Sequence, residues 1–441
     1  MPAPLPLPLR LLNGLATWAV RRKWLPTPRS RLETPHAERL KRKAMFIACK
    51  PGDPSILTQD VMVDGSGGPI HARVYTRPDT QPGAPAILFI HGGGFVECGI
   101  DFCDNVQRGL AARTGYVVVG LSYRLAPEHP FPAALDDCED VLRWMVESKP
   151  AGLDPQRIAV GGESAGGNLT VALALTSRDK GGPAIRHLSI YYPFTDTTLT
   201  SPDWDTSDMP GVGRAEAEFM VSVYAPNDAN NPLVSVLHAD LARLPPSTVI
   251  TCGHDPLRTD GVALAAALKA AGVPTLHTHY DEMPHGFLMF TRLTKRADES
   301  MDEMAREATK AFERATRMAC VVLLALCMWW PATLYAAPTP APVRAEIETL
   351  LAQLESSGCK FYRNGQWFSG PRAKQHLLSK LENAEKVATL DSTEDFIARV
   401  ATKSSASGKP YRVRCATEES RPSAEWLTAE LNALRTEAQL H

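Results

Sequence analysis

No C-x-x-C pair occurs anywhere in the chain, whose nine cysteines lie scattered over 441 residues. That distribution excludes a paired-cysteine zinc site and a thioredoxin-type redox centre. Five of the cysteines precede residue 260 and read as thiols of a reducing compartment. An excess of charge of either sign is missing too. The 47 Lys and Arg against 49 Asp and Glu leave a formal net charge of −2, which gives no reason to expect nucleic acid or an acidic substrate as partner. The local basic clusters Arg21-Arg22-Lys23 and Arg39 to Lys43 read as solvated helix faces. No internal repeat is evident. Long apolar runs are absent with one exception, Ala319 to Tyr335, which carries no charge over 17 residues. Met1 to Leu12 is apolar, but prolines interrupt it and its positive charge follows it, which is not the layout of a secretory signal.

What remains is an ordinary globular composition, 44% hydrophobic and 22% charged. Residues 1–50 mix apolar and basic side chains at helical spacing and predict one or two amphipathic helices acting as a cap. Eight strands are then expected: Thr58 to Val63, Ile70 to Thr76, Ala86 to Ile90, Val117 to Tyr123, Ile158 to Val160, His187 to Tyr192, Thr248 to Cys252 and Thr275 to Tyr280. Helical patterns fall between the later ones, at Val106 to Arg113, Ala134 to Glu147, Asn168 to Thr176 and Gly261 to Ala271, and a last helix runs from about Asp298 to Arg317. Three strands without helices followed by strict alternation predict an α/β domain over 51–317, with a mostly parallel sheet and an antiparallel start. One stretch, 195–244, breaks the alternation. It is too long for a structureless loop and predicts a helical cap insertion whose Trp204, Met209, Phe219 and Tyr224 either line a pocket or pack on the sheet.

The apolar segment 318–337 has the layout of a signal peptide or signal anchor placed inside a chain. Basic residues precede it, small residues and prolines follow it, and its length meets the lower limit of about 17 to 25 residues for a spanning helix. It predicts membrane association through residues 319–335. Met318 lies where the start of an exported protein would fall, so the chain reads as a fusion of two units. The positive residues before Ala319 would then leave the first unit in the cytoplasm and residues 338–441 in the periplasm. That last unit is expected to be largely helical, at Ala345 to Glu355, Ala373 to Ala384, Thr393 to Ala401 and Ala424 to Leu434. Its Cys359 and Cys415 read either as a disulfide, if exported, or as two buried thiols.

The chemistry centres on Gly162-Glu163-Ser164-Ala165-Gly166, a G-x-S-x-G pattern between an apolar strand and a helix. Small flanking residues there allow a turn sharp enough to present the serine hydroxyl. Serine is a weak nucleophile at neutral pH and needs a base, which in turn needs an orienting group. Asp255 and His285 follow the last two strands, and the order Ser164, Asp255, His285 is that of an α/β-hydrolase. The rivals weigh less. His277 and His279 lie within a strand, His254 is placed to shape the acid's loop, and Asp260 is better explained as a helix cap. His91-Gly92-Gly93-Gly94-Phe95 supplies a loop whose N–H groups at Gly93 and Gly94, with that of Ala165, suit a tetrahedral oxyanion.

These motifs, with Tyr123 to Glu128, His129 to Ala134, Asp255-Pro256-Leu257-Arg258 and His285-Gly286-Phe287, resemble the bacterial hormone-sensitive-lipase family of carboxylesterases over about residues 50–317. The resemblance implies an α/β-hydrolase fold with a helical cap. It also implies hydrolysis of small carboxylic esters with short or medium acyl chains, without metal or cofactor. Glu163 stands where the family more often has Asp, and Thr259 where a further acid is common. Amide or lactone hydrolysis on the same triad, and a ligand-binding receptor on the same fold, are the alternatives; the oligomeric state is left open. Residues 338–441 resemble a small exported bacterial family without an assigned function, through Ser357 to Phe361, Arg363 to Trp367 and Ser404 to Tyr411. His376 there reads as a structural or surface residue.

Overall fold

The computed structural model describes residues 2–22, 48–206, 212–329, 339–405, 407–416 and 419–439, and the chain divides into two units, Met1–Leu324 and Ala325–His441. In the first, α1 (Leu7–Arg21) is followed by β1 (Leu57–Gly65), β2 (Gly68–Thr76), β3 (Ala86–Ile90), α2 (Asp104–Thr114), β4 (Val117–Ser122), α3 (Ala133–Ser148) and β5 (Ile158–Glu163). Then come α4 (Ala165–Lys180), β6 (Ile185–Tyr191), α5 (Asp203–Thr206), α6 (Arg214–Tyr224), β7 (Ser247–His254), α7 (Arg258–Ala270), β8 (Thr275–Pro284) and α8 (Arg296–Trp329). The eight strands form one sheet in the order β1-β2-β4-β3-β5-β6-β7-β8. β1, β2 and β4 pair antiparallel, and every pair from β4–β3 onward is parallel. All eight expected strands are present, as are the helices expected between them.

The continuous apolar runs follow from burial on both faces of the sheet. Along β3, Ala86, Leu88 and Ile90 enter one core, where Leu135, Val141, Leu169 and Leu264 cover the sheet. Ile87 and Phe89, on alternate positions, enter the other, with Val106, Leu110, Met301 and Phe312. Only strands buried on both sides read this way; the edge strand β1 exposes most of its residues.

At the N-terminus α1 is a helix that leaves Leu7, Leu11, Leu15 and Trp18 exposed, and the chain before it is held where the Ala3 N–H donates to Asp281 Oδ2 (2.7 Å). Residues 23–47 lie outside the described residues. Of the expected apolar segment, the backbone through Trp329 continues α8, and residues 330–338 lie outside the described residues. Among the described residues no helix is long and apolar enough to cross a membrane.

The second unit holds α9 (Ala341–Ser356), β9 (Lys360–Arg363), β10 (Gln366–Ser369), α10 (Gly370–Glu385), α11 (Thr393–Phe396, continued by a π turn over Ile397–Ala401), β11 (Arg412–Arg414), β12 (Arg421–Pro422) and α12 (Ser423–Ala438). The four expected helical segments are there. An antiparallel sheet in the order β10-β9-β11-β12 is an addition to the largely helical reading. Its strands have only two to four residues, too few to show a two-residue period. Cys359 and Cys415 form a disulfide beside β9 and β11. Ile347, Leu350, Leu381, Phe396, Trp426 and Leu427 fill the unit's own core.

Candidate active site

β5 ends at Glu163 and α4 starts at Ala165, so Ser164 alone makes the turn between them, with φ +56° and ψ −119°. A non-glycine residue at positive φ is strained and needs support from its surroundings. The Ser164 N–H donates to the Tyr191 carbonyl (2.9 Å), while its own carbonyl accepts from Phe194 N–H (3.1 Å) and Asn168 N–H (3.2 Å). Close packing makes the flanking residue glycine: a Cβ on Gly166 would collide with the Ile90 carbonyl.

The three residues expected to act together meet. Ser164 Oγ lies 3.0 Å from His285 Nε2, and His285 Nδ1 lies 2.9 Å from Asp255 Oδ2. The Asp255 side chain is fully buried and that of His285 is 10% exposed, so this pair works in a weakly screening interior. With Nδ1–H donating to the carboxylate, Nε2 is left as an acceptor for the serine hydroxyl. Burial pulls the His285 pKa down, but the charge and hydrogen bond of Asp255, with a contribution from Glu163, outweigh it and hold the imidazole above its ordinary value. The second Asp255 oxygen accepts from Leu257 N–H (2.8 Å), which fixes the carboxylate.

The competing residues are otherwise engaged. His277 Nε2 and His279 Nδ1 both contact Thr251 Oγ1, at 2.9 and 2.8 Å. The His254 carbonyl accepts from His285 N–H (3.2 Å), and its ring reaches the Ala3 carbonyl (2.7 Å). Asp260 differs from its reading as a helix cap. It sits inside the first turn of α7, buried, with Oδ2 unpartnered. Burial first, then the charges of Asp196, Asp203 and Asp255, push its carboxyl up to about 7. The turn's free N–H groups are served by Asp255 and Asp203 instead.

Gly93 and Gly94 follow β3 at φ +108° and +60°, a region that favours glycine. Gly94 also faces α6, where an added Cβ would strike Met220 Sδ. Ala165 opens α4, whose first N–H groups have no intrahelical acceptor. Residues of the quoted motifs to which the sequence assigned no role hold this loop in place. Glu163 Oε1 accepts from Gly92 N–H (2.6 Å), joining elbow to loop. His91 stacks on Tyr123 at 4.2 Å, and the Tyr123 hydroxyl donates to the His91 carbonyl (3.0 Å). Burial keeps His91 neutral, its pKa lowered to about 4.

Above the loop lies the 195–244 insertion. Tyr224 stacks on Phe95 at 3.8 Å, and Trp204 meets Phe194 edge-on at 5.5 Å. Phe219 lies half-buried on α6, and Met209 lies outside the described residues. Asn168 Nδ2 donates to the carbonyls of Phe194 and Val234, both at 2.7 Å, and so ties the insertion to the nucleophile's helix. Its signal in the sequence was the single amide of a helix whose first three turns are buried and mostly apolar. Among the described residues no group of His, Cys, Asp or Glu is arranged to hold a metal ion.

Comparison with known proteins adds an independent line. Residues 87–289 match the model of a family with the α/β-hydrolase fold, and residues 341–435 match a family of unknown function. Esterase LipI of Mycobacterium tuberculosis is 36% identical over 273 residues, 60% of this chain and 85% of the relative. The ethyl acetate hydrolase of Pseudomonas putida is 32% identical over 285 residues, 62% of this chain and 89% of the relative. Among solved structures, a hyperthermophilic esterase from the archaeon Pyrobaculum calidifontis superposes with TM-score 0.63 at 33% identity, covering 70% of this chain and 99% of that one.

Proposed function

Because the chain belongs to the hormone-sensitive-lipase-like esterase family of α/β-hydrolases, we propose that its ester hydrolysis runs through an acyl-enzyme on Ser164. The protein is a carboxylic ester hydrolase. The observation that carries the mechanism is the position of His285, within hydrogen-bond reach of Ser164 on one ring nitrogen and of Asp255 on the other. His285 takes the serine proton as Oγ attacks the ester carbonyl. The imidazolium so formed is stabilised by Asp255, then gives the proton to the departing alkoxide. The N–H groups of Gly93, Gly94 and Ala165 hold the oxyanion, and a water, deprotonated by His285, releases the acid.

Short and medium acyl chains are the substrates this reading favours. Met220 of α6 stands against Gly94, and the Phe95–Tyr224 and Phe194–Trp204 pairs fill the space above the oxyanion loop with fixed aromatic rings. The test is a series of p-nitrophenyl acetate, butyrate, octanoate and palmitate. kcat/KM should peak at butyrate or octanoate; a maximum at palmitate would reject the acyl-length assignment.

For residues 319–335 the reading is a membrane anchor, with the hydrolase on the cytoplasmic side and residues 338–441 periplasmic. It is supported by Lys310, Arg314 and Arg317 ahead of the apolar run and by cysteine chemistry. Cys49, Cys103, Cys138 and Cys252 of the hydrolase are free thiols, whereas Cys359 and Cys415 are joined, as an oxidising compartment favours. Protease added to intact spheroplasts should remove residues 338–441 and spare the hydrolase; protection of both units would reject this topology.

A further inference from the structure

The second unit holds an open cavity of about 390 Å³ between β9, α10 and α12, within the size range of small-molecule sites. Its polar lining is Arg363, Arg372, Gln375, His376, Ser379, Tyr411 and Ser423, and it contains no carboxylate. Arg363 Nη1 donates to His376 Nδ1 at 3.0 Å, so the His376 proton sits on Nε2 and donates to the Tyr411 hydroxyl at 2.9 Å. That leaves Arg363 with four further N–H donors. Arg372 lies over the Phe368 ring at 5.1 Å. Neither guanidinium has an ion-pair partner among the described residues. Two acidic side chains of the flanking helices are engaged elsewhere, Glu355 by Lys374 and Glu385 by Arg344. Lys380, one turn beyond His376, is held by the Val400 and Lys403 carbonyls and adds positive charge over the Tyr411 ring. Burial, then Arg363 and Lys380, lower the His376 pKa to about 4, so the imidazole stays neutral near pH 7 and its pairing with Arg363 persists.

The remaining walls are apolar: Leu354, Phe361, Phe368, Leu377 and Leu427. Two guanidiniums without an ion-pair partner among the described residues line the same cavity as aliphatic and aromatic side chains, a combination complementary to an anion with an apolar body. Arginine's planar fork suits a carboxylate in particular. We propose that this cavity binds a small organic carboxylate, its head group on Arg363 and Arg372 and its hydrocarbon part against Phe361, Phe368 and Leu427. The site is separate from Ser164, and its existence does not depend on the hydrolytic mechanism.

The test is calorimetric titration of the full-length chain with sodium octanoate, with octan-1-ol and inorganic phosphate as companions. Octanoate should bind, and Arg363→Gln should weaken it by about 10- to 100-fold, the range expected for a lost charge-assisted pair. The exposed Arg372→Gln should weaken it by a smaller factor. Hydrolysis of p-nitrophenyl butyrate and the melting temperature serve as controls, and both should match the parent in the Arg372 variant. Octan-1-ol and phosphate should each bind at least about tenfold more weakly than octanoate, since each lacks one half of the match. No octanoate binding would overturn the proposal, as would binding that neither arginine substitution alters, which would place the acid in the hydrolase site. Equal binding of octan-1-ol would reduce the cavity to an apolar groove, and equal binding of phosphate to a bare anion site; either result overturns the assignment.

Discussion

Asp203, in the 195–244 insertion, is joined twice to Thr259, four residues beyond Asp255. Its Oδ2 accepts from the Thr259 N–H at 3.1 Å and from the Thr259 hydroxyl at 2.6 Å, and its Oδ1 takes Arg258 Nη2 at 2.6 Å. The insertion is thereby tied to the loop that positions Asp255. Asp203→Asn should destabilise the first unit by about 2 kcal/mol, the scale of a charge-assisted hydrogen bond, and Thr259→Val by about 1 kcal/mol. Thr259→Asp restores the acid common in the family but sets it against Asp203 and the raised carboxyl of Asp260, and should be the most destabilising of the three. Urea unfolding at pH 7 reads the order; a Thr259→Asp variant as stable as the parent would contradict it.

Asp260 makes a second, pH-dependent prediction. Its folded pKa, about 7, lies above the ordinary 3.8, so the folded state holds this proton more tightly than the unfolded one. The linked stability is intact below about pH 4 and is lost as pH rises toward 7. At about 1.4 kcal/mol per pKa unit, the cost above pH 7 is on the order of 4 kcal/mol. Asp260→Asn, which mimics the neutral form, should raise the melting temperature at pH 8 and lose that advantage at pH 4. An equal effect at both pH values would mean that charge is not the cause.

His285 moves in the other sense for catalysis. Only the neutral imidazole accepts the Ser164 proton, and Asp255 holds its pKa above the ordinary 6.5 against the pull of burial. The acid limb of kcat/KM should therefore have its midpoint above pH 6.5, while the stability that the charged pair contributes is complete below 6.5 and declines through that midpoint. Asp255→Asn should lower kcat by about 10⁴-fold, the scale measured for the equivalent change in chymotrypsin-type triads, and shift the residual limb to lower pH. An unshifted limb would remove Asp255 from its role.

Gly94→Ala should cost about 10²- to 10³-fold in kcat, as does loss of an oxyanion donor in subtilisin. Two causes can be separated: Met220→Ala in the same chain removes the collision but leaves the φ of +60°. Full rescue would show a steric effect alone; partial rescue is expected.

The disulfide closes a loop with a sequence separation of 56. On the chain-entropy account it stabilises the second unit by about 4 kcal/mol. Cys359→Ser should lower that unit's melting temperature and leave hydrolysis of p-nitrophenyl butyrate unchanged. A coincident loss of activity would mean that the two units depend on each other.

Much of this was legible in the residues themselves. The strands β3 to β7 are buried on both faces and read as continuous apolar runs, and the triad stands at strand ends because the loops there can carry exposed chemistry. Ser164, Asp255 and His285 were therefore found by order and context. The residues that hold them were harder to see. Asp203 acts across 52 residues on Asp255's loop, Asn168 clamps two carbonyls far apart in sequence, and Asp260 resembles a cap by position while its turn is served by others. Such roles depend on which chain segments meet, and no local period records that. In the second unit, strands of two to four residues fell below any periodic signal, so Arg363 and His376 were not seen to share a cavity.

The most direct test of the central claim is to quench the reaction with p-nitrophenyl butyrate during turnover and map the acyl group by peptide mass spectrometry. The butyryl adduct should lie on Ser164, and Ser164→Ala should carry none and lose about 10⁶-fold in kcat, as subtilisin does on losing its serine. An adduct on another residue, or a Ser164→Ala variant that turns over like the parent, would contradict it.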